Sequence, residues 1–423
     1  MLALLIILFF VLMALGMPIA FTMGASAAFT FMVSGIDPVV MAQRTFTATN
    51  SFALMAIPLF MLAGNLMERV GITEELIDFC DKCVGHIRGG LAQTTCLAGM
   101  LMAAMCGSNN ASASAIGSMM IPGLRKEGYD DGFSCSLIAA AGNLGPIIPP
   151  SIIMIIYASA VNMPINRLFM SGMVPGILMG IGFMVYCNLH AKKLGMVKKP
   201  RASAKEVFNA FIKAFFALMT PVIILVGIMA GIFTATESGA IAVLYSALYG
   251  LVRRRLNFKQ MVESLYTAAI STLGPMVVIC FAAAFSYLLT YCDFADICVD
   301  FILGMSTNKY VVMLLIILLI TILGMFVEVT AALIMMIPVF TSIIAQLGYD
   351  PLYFAIVVII TFCIGAITPP VGITLYVSCG VANLPLKDAI KPVWPFVAIM
   401  LAVTIAIVFI PGIATFLPYA LGL

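Results

Sequence analysis

Nine apolar runs dominate the chain, near residues 2–34, 52–68, 134–160, 168–190, 211–233, 236–252, 261–291, 352–380 and 393–421. A helix needs about 20 apolar residues to cross the hydrocarbon core of a bilayer, and nothing between these runs is polar enough to form a soluble domain of its own. Only 9% of the residues are charged, against about 25% in an average soluble domain. Backbone polar groups in lipid must be satisfied within their own element, so the pattern predicts an all-α polytopic membrane protein. The opening MLALLIILFF has no basic flank and stays apolar through Val33 without a cleavage signal, which reads as a retained transmembrane segment. The pattern is compatible with one helix or two over residues 1–34.

Charge sets the topology. Lys192, Lys193, Lys198, Lys199, Arg201 and Lys205 form one basic loop, and Arg253, Arg254, Arg255 and Lys259 form a second. The positive-inside rule places both in the cytoplasm, and a net charge of only +3 concentrated in two loops argues against nucleic acid. Counting outward from Lys259, the run 261–291 ends outside, where Asp293, Asp296 and Asp300 lie. Counting back from Lys192, the segment RKEGYDD from Arg125 falls inside.

Two polar strings interrupt apolar sequence. CGSNNASAS (106–114) is flanked by 91–105 and 111–123, and GMFVEVT (324–330) by 310–323 and 328–347. A helix over 310–323 would be about 21 Å long, short of the roughly 30 Å core, so both strings read as tips of re-entrant hairpins entering from opposite faces. After each hairpin comes an apolar run broken by prolines, GPIIPPSI from Gly145 and GAITPPVG from Gly365. Gly128 and Gly348, Gly145 and Gly365, Pro149 and Pro369, and Pro150 and Pro370 share one offset of 220 residues. Each half therefore reads as hairpin, Gly-Tyr-Asp turn, broken helix and Asn-containing exit, with inverted topology. Proline is tolerated at the first turn of a helix but disrupts the residues before it. Paired broken helices are a device by which transporters bring half-helix N-termini and unwound carbonyls to the bilayer midplane.

The first tip offers Ser108, Asn109, Asn110, Ser112 and Ser114, and the second Glu328 and Thr330. Carbonyls freed around Gly145 and Ile148, and around Gly365 and Thr368, suit a hard cation such as sodium. Neither tip carries Lys or Arg, so an anion there must be held by N–H groups, hydroxyls and amides with a cation nearby. The expected substrate set is Asn109, Ser112, Glu328 and Thr330 of the tips, with Ser151 and Thr374 of the broken helices. Catalysis finds little support: His86 and His190 are the only histidines, both beside membrane ends, and no hydrolase, zinc-protease or Walker string occurs. Cys80, Cys83 and His86 read as an amphipathic helix and not a zinc site, which normally takes four ligands. The eleven scattered cysteines show no disulfide framework.

These strings, with MAIPLFMLAGNLM from Met55 and GIFTATESGAIAVLY from Gly231, resemble the large, DctM-like membrane subunit of tripartite ATP-independent periplasmic (TRAP) transporters over essentially the whole chain. The resemblance implies an elevator-type transporter of the bacterial inner membrane, with no cofactor and Na⁺ as coupling ion. Its scaffold would comprise 1–68 and 191–291, its arms 69–90 and 292–310, and its transport domain 91–190 and 311–423, with broken helices at 134–160 and 352–380. The sodium sites it implies are Ser108, Asn110, Gly145, Ile148 and Pro150, and Gly324, Gly365, Thr368 and Val371. The implied partners are a carboxylate substrate, membrane lipid, a periplasmic binding protein and a four-helix small subunit, expected as a separate chain. Ala235 stands where the family often has proline, which bears on that turn alone. A stand-alone anion transporter or a Na⁺/H⁺ exchanger on a similar inverted-repeat fold is the competing reading, and the identity of the organic acid is not encoded in these strings.

Overall fold

The structure, a computed structural model, describes residues 1–423, the side chain of Leu303 excepted, and is helical throughout among the described residues. The first quarter contains α1 (Leu2–Ala14), α2 (Ile19–Val33), α3 (Pro38–Thr49), α4 (Ala56–Arg69), α5 (Ile72–Val84) and α6 (Gly90–Cys106). Then come α7 (Asn109–Lys126), α8 (Asp131–Gly142), α9 (Ile152–Ala160), α10 (Ile165–Lys193), α11 (Ala204–Met229), α12 (Ala235–Val252) and α13 (Phe258–Tyr291). The remainder is α14 (Phe294–Met305), α15 (Lys309–Phe326), α16 (Val329–Leu347), α17 (Pro351–Ile367), α18 (Ile373–Ala382), α19 (Leu386–Phe409) and α20 (Gly412–Ala420). Seven helices, α10 to α13, α15, α16 and α19, are long and apolar enough to cross a membrane, and α3 with α4, bent by 60°, makes an eighth candidate.

Residues 1–34 are two helices: Gly16 adopts φ +85° and Pro18 caps α2, so the apolar run folds back on itself. α5 is amphipathic, burying Ile72, Leu76 and Cys80 at helical spacing, and Arg255 clamps it by reaching Glu75 at 2.8 Å and the Val70 carbonyl at 3.0 Å. α8 and α17, by contrast, are buried on every side from Gly132 to Gly142 and from Leu352 to Ile367. A helix that is apolar all round belongs inside, and these two form the centre against which both repeats pack. α8 lies against α7 of its own repeat and against α18 and α19 of the other. Arg125 donates to the Ala382 carbonyl at 2.7 Å, and Ser136 to that of Ala389 at 3.2 Å.

α10 serves as a ruler for the inverted topology. Its C-terminal end carries His190, Lys192 and Lys193, and there His190 stacks on Phe133 of α8 at 4.1 Å. Next to this end Lys199 pairs with Glu127, which holds the lysine amine above its usual range and fixes the first Gly-Tyr-Asp turn on the face of the basic loop. The second Gly-Tyr-Asp turn sits at the other end of α10: Asp350 accepts from Tyr419 at 2.7 Å, and Tyr419 feels the charge of Arg167. α8 and α17 thus start from opposite faces.

The tips differ from the sequence expectation in extent. Asn308 caps α15 by accepting from Tyr310 N–H at 2.9 Å, and α15 continues through Gly324 to Phe326. Its 18 residues span about 27 Å, so by length it is a candidate span and not the 14-residue piece that the apolar run suggests. The tips shrink to Gly107–Ser108 and Val327–Glu328, and Asn109, Asn110, Ser112 and Ser114 lie in the first turns of α7.

Candidate functional site

Both broken helices come apart at the proline pairs. α8 stops at Gly142 and α9 begins at Ile152, while α17 stops at Ile367 and α18 begins at Ile373; both Pro-Pro bonds are cis. The carbonyls of Gly145, Ile148 and Thr368 accept no hydrogen bond among the described residues, so they are available to a hard cation. Gly365 is different, since its carbonyl accepts from Thr368 N–H at 3.0 Å.

Each tip is stitched to the break in its own repeat in the same way. Ile152 N–H donates to the Gly107 carbonyl at 3.3 Å, and Gly372 N–H to that of Met325 at 3.3 Å. Backbone also meets backbone. A Cβ at Gly145 would lie 2.9 Å from the Ser108 oxygen, and one at Gly365 would lie 2.6 Å from the Gly324 Cα. The structure therefore brings Ser108 to Gly145, Pro150 to Gly107, and Gly324 to Gly365, and the Gly365 carbonyl to Thr368. Val371 stands apart in being exposed.

The repeats also bond across to each other. Asn109 Nδ2 donates to Thr374 Oγ1 at 2.8 Å, and Thr374 Oγ1 donates to Asn110 Oδ1 at 3.0 Å. Asn143 Nδ2 donates to the Cys363 carbonyl at 2.5 Å. Residue 363 is the counterpart of 143 under the 220-residue offset, so this bond sits on the pseudo-two-fold axis. Asn143 is fully buried, and its Oδ1 has no partner among the described residues.

A cavity of about 790 Å³ collects the tips. Ser108, Asn109, Asn110, Glu328 and Thr330 line it from one side, and Asn65 and Glu68 of α4, Ser271 of α13 and Pro18 from the other. Of the sequence-derived substrate set, Asn109, Glu328 and Thr330 reach the cavity, whereas Ser112, Ser151 and Thr374 do not line it. Ser151 caps α9, accepting from Met154 N–H at 3.2 Å and donating to the Pro146 carbonyl at 2.7 Å. Glu328 caps α16 likewise, accepting from Ala331 N–H at 3.1 Å and from the Thr330 hydroxyl at 3.0 Å. The N-termini of α7 and α16 thus both open on one space whose lining contains no Lys, Arg or His among the described residues. Sequence reasoning missed Asn65, Glu68 and Ser271, which sit in runs that look like plain apolar spans; their polarity once per few turns was the available signal. It missed Asn143 too, although an amide directly after the apolar stretch Leu137–Gly142, two residues before Gly145, marks the place.

This architecture is that of a membrane transporter. The crystal structure of the Alcanivorax borkumensis YdaH transporter matches it with a TM-score of 0.64 over 88% of this chain and 86% of its own, at 14% identity, a likeness of fold alone. The family model for the DctM component of tripartite ATP-independent periplasmic transporters matches residues 6–413, and the chain belongs to that family. The C4-dicarboxylate TRAP transporter large permease protein DctM of Pseudomonas aeruginosa is 36% identical, over 95% of each chain. The isethionate TRAP transporter permease protein DctMQ of Oleidesulfovibrio alaskensis is 36% identical over 96% of this chain, which spans only 65% of that longer protein.

Proposed function

We propose that the chain is the large permease subunit of a Na⁺-coupled TRAP transporter in a bacterial inner membrane. It imports an organic acid delivered by a periplasmic binding protein, together with a small membrane subunit. The observation that carries this reading is the single cavity lined by both tips and by no cationic side chain. Beside the carboxyls of Glu68 and Glu328, which repel it, an anion there meets hydroxyls, amides and helix N-termini, the last worth about half a positive charge each. Bound Na⁺ at the free carbonyls behind the tips supplies the missing positive charge, and substrate binding becomes dependent on the ion. Ser108, Asn110, Gly145, Ile148 and Pro150 hold one ion, and Gly324, Gly365, Thr368 and Val371 the other. Asn109, Glu328 and Thr330 contact the substrate, and Ser112, Ser151 and Thr374 support them from behind. The helices of 91–190 and 311–423 slide as a body against α1 to α4 and α11 to α13, with α5 and α14 as arms. The names of the matched relatives, a C4-dicarboxylate and an isethionate permease, support an organic acid as cargo.

The test is uptake of labelled C4-dicarboxylates, sialic acid, sugar acids and isethionate into proteoliposomes holding this chain and its small subunit. Uptake is expected to require both an inward Na⁺ gradient and the cognate binding protein; uptake without the binding protein would overturn the tripartite reading. Glu328→Gln keeps one capping oxygen and removes the charge. Its pH profile of uptake is expected to match wild type, whereas a pH dependence lost in this variant would mark proton exchange at Glu328.

A further inference from the structure

Two more cavities lie along the same seam, on the side away from the basic loops. One of about 400 Å³ is lined by Ser51, Ser159 and Asn162 among others, and one of about 570 Å³ by Arg44, Tyr287 and Tyr291. They share Thr47, Ala48, Ala283 and Ser286, so they adjoin as two lobes of an outer chamber. Its position follows from the helices that carry it. α13 runs from Lys259, beside the second basic loop, to Tyr291, and α10 runs from Ile165, just beyond Asn162, to Lys193. The chamber therefore opens on the outer face.

Its lining adjoins that of the tip cavity on α13 and lies three residues from it on α9 and α16. On α9 the lining passes from Ile153 to Ile156, on α13 from Val278 to Ile279, and on α16 from Ala331 to Ile334. Three residues of helix are about 4.5 Å. The chamber also straddles the seam, since Ser51 bonds Ser159 across it at 3.1 Å.

Arg44 is the only Lys, Arg or His in its lining, which holds no Asp or Glu, among the described residues. Its guanidinium lies 4.7 Å from the Tyr287 ring centroid, and Tyr287 is itself stacked on Phe31 at 5.9 Å. No ion pair to Arg44 occurs among the described residues. Arg44 is exposed, and a guanidinium lying over a ring by its face keeps its in-plane N–H fork for an oxyanion. Beyond it the wall is mixed: the hydroxyls of Thr47, Ser51, Ser159 and Ser286 and the amide of Asn162 stand among Leu54, Ile156, Ile279, Ile334, Ile337 and Pro338, which suits a small organic anion with a carbon skeleton.

We propose that this chamber is an outer reception site, in which Arg44 binds the carboxylate or sulfonate of the incoming organic acid before the tips take it. The inference rests on the transporter reading above, and its first test is independent of that reading. Ser159→Cys is introduced into the full chain, with its small subunit, in phosphatidylcholine vesicles, after Cys280, Cys292 and Cys298 have been replaced by Ser. The rate of its modification from outside is measured with a sulfonate-bearing and an uncharged methanethiosulfonate. Arg44→Gln is expected to lower the sulfonate-to-uncharged ratio by about tenfold, within the range of electrostatic focusing, and Arg44→Lys to restore much of it. An unchanged ratio overturns the proposal. An effect of Arg44→Gln that vanishes in phosphatidylglycerol vesicles also overturns it, because a lipid headgroup then occupies the arginine. In the uptake assay Arg44→Gln is expected to raise KM about tenfold with the maximal rate kept. A changed labelling ratio without organic-acid uptake by wild type would sink the transport reading and leave the anion chamber standing; normal uptake with an unchanged ratio would sink the chamber alone.

Discussion

Gly365→Ala is expected to reduce uptake by about 100-fold or more, equivalent to about 2.8 kcal/mol, while Gly380→Ala on the neighbouring helix leaves it unchanged. The added methyl of the first would stand 2.6 Å from the Gly324 Cα, 2.7 Å from the Gly324 carbonyl carbon and 3.0 Å from the Thr321 oxygen. All three are backbone atoms of α15, so no side chain can swing away. Around Gly365, α17 is buried on every face, and the helices must part by several tenths of an ångström. Overpacking of this kind costs about 1–3 kcal/mol or more. The movement falls on the Gly324, Gly365 and Thr368 group, so the loss should appear as a higher Na⁺ requirement as well as a lower rate. Gly324→Ala is the graded case, since its methyl would meet the Gly365 Cα at 3.1 Å, and it should fall between. Gly380 has nothing within 4 Å. Uptake by Gly365→Ala equal to that by Gly380→Ala would remove the close approach of α15 and α17 from the mechanism.

The offset of 220 residues made the two repeats legible, because Gly128, Gly145, Pro149 and Pro150 each have a counterpart in the second half. Their opposite orientation followed from charge, and the Lys199–Glu127 pair beyond the C-terminal end of α10, with the packing of α10 on α20, whose Tyr419 bonds Asp350, agrees with it. The tips were legible as polar strings but not in their extent. Nothing local stops Asn109 or Ser112 from joining a helix once Gly107, at φ +61°, has turned the chain. Nor does a polar tip reveal which of its groups are consumed by caps: Ser151 and Glu328 each spend oxygens on backbone N–H groups at the starts of α9 and α16. The seam residues Asn65, Glu68 and Ser271 were hidden for another reason. They face the tips only because α4 and α13 pack there, a contact between segments far apart in the chain, and helical periodicity carries no record of it.

Asn143→Leu is expected to fold with only a small change in melting temperature in detergent, yet to raise the Na⁺ concentration for half-maximal uptake about tenfold and flatten its dependence on Na⁺. The amide joins the two breaks at equivalent positions, two residues ahead of Gly145 and of Gly365, through its bond to the Cys363 carbonyl. If the breaks are coupled, this bond across the pseudo-two-fold axis is the direct route between them, and the variant tests it. A buried hydrogen bond contributes about 0.5–1.5 kcal/mol net, and about 1.4 kcal/mol corresponds to tenfold in an equilibrium constant. Stability moves less, because Asn143 Oδ1 is buried without a partner among the described residues, and an unsatisfied buried acceptor costs about 1–3 kcal/mol. Leucine, of similar volume, removes that liability together with the bond. An amide kept in a buried core at such a cost is better explained by coupling than by stability. Unaltered steepness and affinity for Na⁺ in Asn143→Leu, beside a lowered melting temperature, would reverse that assignment and make Asn143 a structural pin.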